Sequence, residues 1–167
     1  MEIKYKITFL DFWHCGSGLS GGAKCDNICI KDAEGFPYIP GKTIKGVLRD
    51  IAQDDELKIK CFGDRFHKSP LHFSNAELDY LTKNRIKDCK LTHFLFSTIT
   101  QTALDENGTA KDGSLRNIEV VKPISLNASI DNVNNDCLLY LVETLKSLRQ
   151  MGLNRTRGLG RLKIDIL

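Results

Sequence analysis

A single carboxylate, Asp26, stands just past four glycines spread over Gly16 to Gly22 in "HCGSGLSGGAKCDN". One carboxylate cannot be both acid and base of a reaction. It can position a hydroxyl for attack, hold a magnesium ion that keeps most of its waters, or cap a turn. His14, at the head of the loop, is of a residue type that serves as a base near neutral pH, and suits either that role or a structural one at a strand end. The loop itself is not a nucleotide cradle, because "GSGLSGG" lacks the lysine-hydroxyl ending of a phosphate loop. "GSGLSG" fits GxGxxG, yet no βαβ unit opens there. Gly18 to Gly22, "GLSGG", spells G-x-S-x-G around Ser20, but a β-prone piece rather than a helix follows it, so no nucleophile elbow and no serine hydrolysis are expected.

Two sets of cations could meet phosphate. "GLNRTRGLGRLK" holds four cations and no acid. Gly158 and Gly160 let backbone approach an anion, and Arg155, Arg157 and Arg161 can fork onto its oxygens. Lys42, Lys45 and Arg49 form the second set, on a predicted helix whose N-terminus also favours anions. Lys45 and Arg49 are four apart and share a side. Cys61, His67, His72, Cys89 and His93 supply enough donors for zinc, with Cys89-x₃-His93 spaced usably, but no CxxC pair exists and zinc is not expected. Cys15, Cys25 and Cys29 read as packed thiols.

Alternating apolar residues Ile3, Tyr5, Ile7 and Phe9 predict a first, half-buried strand. "DAEG" predicts a turn and "FPYIP" an extended segment. "GKTIKGVLRDIAQ" predicts a helix begun by Lys42 or Thr43, with Ile44, Val47, Leu48 and Ile51 as its apolar stripe. "LHFSNAEL" predicts a second strand, and "DYLTKNRIKD" a short helical or loop insertion. "HFLFSTIT" and "SLRNIEVVKPISLNASI" are β-rich and flank a polar connection, "QTALDENGTAKDG", long enough to protrude. Asn134 or Asn135 caps a second helix carrying Leu138, Leu141, Val142, Leu145 and Leu148, which Gly152 ends. "RLKIDIL" closes as a strand. This order is an α+β, ferredoxin-like (RRM-like) βαββαβ arrangement. A single domain over residues 1–167 is expected, with a hairpin protruding at about 99–122.

The chain's 41% apolar and 27% charged residues are ordinary for a globular protein. No apolar run reaches the roughly 20 residues of a membrane span. The start lacks the regions of a signal peptide, so a cytoplasmic location and free thiols rather than disulfides are expected. A net charge of +3 identifies no partner by itself.

Three stretches together resemble the RAMP superfamily of CRISPR-associated proteins, particularly backbone subunits of type III effector complexes. They are "WHCGSGLSGGAKCDNICIKDAEGFPYIPGKTIKGVLR", "TALDENGTAKDGSLRNIEVVKP" and "GLNRTRGLGRLKI"; "CFGD" also stands where the family often has an apolar residue before Phe-Gly. The resemblance implies a subunit that binds guide CRISPR RNA and single-stranded target RNA beside neighbouring RAMP subunits and a large type III subunit. It also implies target cutting by Asp26 with a divalent cation such as Mg²⁺. The family usually has an apolar residue before this Asp, and here it is Cys25. His14, Lys24, Lys42, Lys45, Arg49, Arg155, Arg157, Gly158, Gly160 and Arg161 are the expected RNA contacts. Thr102, Leu104 and Arg116 would wedge between guide and target. A non-catalytic scaffold or capping subunit of the same kind of complex is the alternative. A guide-precursor processing enzyme fits less well, because those relatives generally carry two such folds.

Overall fold

The computed structural model describes residues 1–22 and 25–167. β1 (Ile3–Phe9) buries Ile3, Tyr5, Ile7 and Phe9 and turns Lys4, Lys6 and Thr8 to the other face, as its period of two requires. It is an interior strand. β5 (Ser125–Asp131) and β6 (Leu162–Ile166) pair with it antiparallel, so Ile7 faces Leu126 on one side and Ile164 on the other. β2 (His72–Phe73) pairs with β5, completing the order β2-β5-β1-β6. The last strand lies beside the first and the second at the far edge, which is the ferredoxin-like sheet.

α1 (Gly41–Ile51) and α4 (Asn135–Ser147) pack on each other, with Ile44, Leu48, Leu141 and Leu145 fully buried between them and the sheet. Each such side chain contributes about 1.5–3 kcal/mol of hydrophobic stabilisation. α1 begins at Gly41, earlier than the predicted Lys42 or Thr43. Gly41 seats against β2, where a Cβ would come within 2.0 Å of the Phe73 carbonyl, and its N–H donates to Asn75 Oδ1 at 3.0 Å. That side chain, distant in sequence, answers one of the helix's orphan donors. α4 has the predicted Asn134 cap, which accepts from Cys137 N–H. It ends at Ser147 rather than at Gly152, because residues 149–151 leave the helix to pair with 160–162.

α2 (Asp55–Phe62) has no counterpart in the sequence expectation; its weak amphipathic pattern hides it, although Asp54 caps it through Leu57 N–H. It packs on α4, and this brings together Cys61 and Cys137, 76 residues apart, as a disulfide with Cα atoms at 6.3 Å. The expectation of free thiols is corrected there. Spacing along the chain carries no trace of helix–helix packing, so the pair was invisible beforehand. "DYLTKNRIKD" is helical, α3 (Tyr80–Asp88), capped by Asp79. α3 and the ribbon of β3 (Phe96–Gln101) with β4 (Arg116–Val121) are inserted between β2 and β5. The predicted strand "LHFSNAEL" is interrupted: after the two residues of ladder Ala76 bridges Ile39, and Glu77 then rejoins β5 at Asn127.

Candidate RNA interface

The chain leaves β1 through the stacked rings of Phe9 and Trp13, with centroids 4.4 Å apart. Trp13 then exchanges both backbone hydrogen bonds with Val121, at the end of β4. The glycine loop therefore starts already attached to the ribbon. Its outward limb is laced to its return limb by Ser17 N–H to Ile28 O (3.1 Å) and Ile30 N–H to Cys15 O (2.8 Å). The return limb runs along β4, where Asn27 O accepts from Glu119 N–H and Cys29 N–H donates to Glu119 Oε2. Lys31 pairs with the other oxygen of the same carboxylate at 2.8 Å. Glu119 thus clamps this limb by two bonds across about ninety residues of sequence.

Asp26 sits exposed on this limb. Its N–H donates to Asn117 O at 2.8 Å, and its Oδ2 accepts from Asn117 N–H at 2.7 Å. One carboxylate oxygen is thereby engaged by the ribbon. The backbone bond would persist without the side chain, so Oδ1 is the oxygen available for chemistry. A hydrated Mg²⁺ asks little more of a protein than one carboxylate oxygen, the rest coming from water and phosphate. Asp26 fits that demand, and among the described residues no group of three or more His, Cys, Asp or Glu is arranged as a metal cluster. The zinc candidates are dispersed. Cys61 is in the disulfide, His67 bonds Asp64 at 3.0 Å, Cys89 ends α3, and the His93 ring lies tilted against Phe94.

His14 is buried, only 3% exposed, and its Nδ1–H donates to the Glu119 carbonyl at 2.6 Å. Burial also pushes the neighbouring Cys29 thiol up to about 12, so it stays protonated beside that ring. His14 holds the loop to β4 and does not face outward.

The C-terminal loop meets the glycine loop at the backbone. Leu153 N–H donates to His14 O, Gly160 N–H to Phe12 O, and Leu10 N–H to Arg161 O. Asn154 takes the left-handed conformation that Asn tolerates and donates from Nδ2 to Gln101 Oε1 at 3.0 Å, joining this loop to β3. Arg155 and Arg157 follow in one 3₁₀ turn, both exposed. On the hairpin, Thr102 Oγ1 and Ser114 Oγ are bonded at 2.8 Å, and the tip is tightened by Asp105, whose Oδ1 accepts from Asn107 and Thr109 N–H.

A cleft of about 630 Å³ opens where these segments meet, lined among others by Asn27, Thr102, Leu104, Arg116, Asn154 and Arg157. All three stretches singled out in the sequence contribute to it. No carboxylate lines it among the described residues, so two guanidinium groups set its charge. Asp26 is adjacent to lining residue Asn27 without lining the cleft itself.

The remaining expected contacts divide by position. Lys42, Lys45 and Arg49 lie on α1 and line no part of the cleft; burial and the nearby Arg49 pull the Lys45 pKa down. Arg161 forks onto Asp11, Nη2 to Oδ1 at 3.0 Å and Nε to Oδ2, so two of its five N–H donors are already engaged within the chain. Gly160 is required by packing, since a Cβ there would lie 2.0 Å from the Met151 carbonyl. Gly158 has open space around it, as close approach of an anion would need. Lys24 lies outside the described residues. Asn154, Gln101, Asn117 and Ser114 were not anticipated. Only Asn154 left a local signal, an Asn ahead of a cationic turn.

No curated protein matches the sequence significantly. Among solved structures, a chain of the type III-B Cmr-β complex bound to cognate target RNA superposes with a TM-score of 0.78 at 12% identity, covering 99% of this chain and 97% of that one. A chain of the apo Cmr-β complex does so with a TM-score of 0.75 at 14% identity, covering 100% and 97%. At this identity the likeness is one of fold. The sequence profile of the RAMP superfamily matches residues 6–163, nearly the whole described fold, and the chain belongs to that superfamily.

Proposed function

We propose that this protein is an RNA-binding backbone subunit of a type III CRISPR ribonucleoprotein, and that Asp26 serves in cutting guide-paired target RNA. The observation that carries this reading is the convergence of the glycine loop, the hairpin and the C-terminal loop on one acid-free cleft holding Arg116 and Arg157. Its cations would contact RNA phosphates without reading bases, as a subunit serving many guides requires. Leu104, 60% exposed near the hairpin tip, with Thr102 and Arg116, would part guide from target. Neighbouring RAMP subunits would repeat this along the RNA, beside a large type III subunit, and head-to-tail contacts that do not close suit such a filament.

In the cutting step the ribose 2′-oxygen bonds to the adjacent phosphorus as the bond to the 5′-oxygen breaks. Asp26 holds the 2′-hydroxyl and takes up its proton, water protonates the departing 5′-oxygen, and a cyclic phosphate remains. Where Asp26 Oδ1 instead holds a divalent cation, that cation would supply charge stabilisation at the phosphate and water would take up the 2′-proton.

A second reading has its own observation. The bond from Asn117 N–H to Asp26 Oδ2 fastens the loop to β4, which is what a purely structural Asp in a scaffold subunit would do. The assembled complex carrying Asp26→Ala separates the two. Loss of evenly spaced target cuts in Mg²⁺, with RNA affinity retained, is expected for the nuclease. Cutting unchanged from wild type assigns the chain to the scaffold role.

A further inference from the structure

Between α2 and β2 the chain makes a tight loop, "GDRFHKS", whose apex is Phe66, 88% exposed. Asp64 Oδ1 accepts from Phe66 N–H at 2.8 Å and His67 N–H at 2.6 Å, and Gly63 bridges Lys68. Gly63 has φ near +78°, and a Cβ there would come within 2.5 Å of the His67 carbonyl, so the turn admits no larger residue. The ring is thus displayed by a backbone fastened on both sides. Isolated exposed apolar residues are common and mean little. Here the four consecutive residues Arg65, Phe66, His67 and Lys68 are all exposed, and the loop's one acid, Asp64, is occupied by the loop's own donors. Among the described residues neither Arg65 nor Lys68 is in an ion pair. Two cations outside any ion pair beside the ring favour a partner that brings negative charge together with an aromatic face. An aromatic face between cations matches a base and its neighbouring phosphates, and stacking tolerates any base.

We infer that the Arg65–Lys68 loop is a second RNA contact, where a single-stranded base stacks on Phe66 and Arg65 and Lys68 hold the adjoining phosphates. The inference rests on the reading that the chain binds RNA, but not on the cleft. The loop feeds β2, at the sheet edge opposite β6, into which the cleft's C-terminal loop runs. RNA engaged at both would therefore cross the width of the sheet.

The test uses the full chain, with oligouridylate as probe. Trp13 is the chain's one tryptophan and is 1% exposed, so Phe66→Trp places a reporter where none competes. RNA is expected to quench the new fluorescence, and Phe66→Ala to weaken oligouridylate binding about tenfold. Phe66→Leu, which keeps bulk without a π-face, should weaken it similarly. No quenching together with wild-type affinity in Phe66→Ala overturns the inference. So does a Phe66→Leu variant that binds RNA normally while Phe66→Ala loses assembly with other subunits, since that marks an apolar protein anchor. Arg157→Ala is measured alongside. If it lowers affinity while Phe66→Ala does not, only this second contact falls; if neither does, the RNA reading itself falls.

Discussion

Gly152 lies directly against the backbone of His14: a Cβ on Gly152 would stand 2.4 Å from the His14 carbonyl oxygen, which also accepts Leu153 N–H at 3.1 Å. Residues 138 positions apart are joined here with no side chain between them. This contact, with Gly160 N–H on Phe12 O, brings the two glycine-rich loops to one side of the molecule. Had they lain on opposite sides, no shared RNA site could exist.

Gly152→Ala meets both a backbone clash and a left-handed φ of +99°. Its expected cost is about 2–4 kcal/mol. Gly158→Ala shares the left-handed φ, +85°, but has nothing within 4 Å, and should cost about 1 kcal/mol. Urea unfolding of both variants checks the order, which equal losses would contradict.

Arg116→Ala and Arg157→Ala should each lower RNA affinity and reduce the slope of log affinity against log salt by about 1. Arg161→Ala should change that slope less, because its guanidinium is already forked onto Asp11. Filter binding over a salt series reads this. A steeper loss in Arg161→Ala than in the other two would count against the cleft.

Asp11 carries the pH consequence of that fork. The hydrogen bond from Arg161 holds its carboxyl below the ordinary carboxylate value. With the folded pKa depressed, the pair's stabilisation is present above the unfolded pKa and disappears as pH falls through the folded one. Both side chains are on the surface, so the contribution is small. In Arg161→Ala, Asp11 should titrate at higher pH than in wild type, as carboxyl carbon NMR would show; an unmoved midpoint refutes the link.

The Cys61–Cys137 bond ties α2 to α4 across 76 residues. Reduction should lower unfolding free energy by about 2–4 kcal/mol, chiefly by freeing the unfolded chain. Both cysteines are fully buried. Urea midpoints with the bond intact and after reduction under mild denaturant are expected to differ; coincident midpoints would show that the helices need no tether.

The elements were legible wherever local periodicity was strong. Ile3, Tyr5, Ile7 and Phe9 alternate because one face of β1 is covered, and Ile44 with Leu48 repeats because one side of α1 is. α2 escaped notice because its apolar residues follow neither period clearly. Glycine and charge content drew attention to the loops that meet at the cleft, since conformational freedom and cation spacing are written locally. Which side chains of those loops are already engaged was decided by partners far away in the chain. Asp11 takes Arg161, Met151 demands Gly160, Glu119 holds His14 inside, and Asn117 engages one oxygen of Asp26. Composition and spacing name what a segment could do. Only tertiary contact determines which of its groups are already committed, because hydrogen bonds and packing between distant residues leave no periodic mark on the sequence.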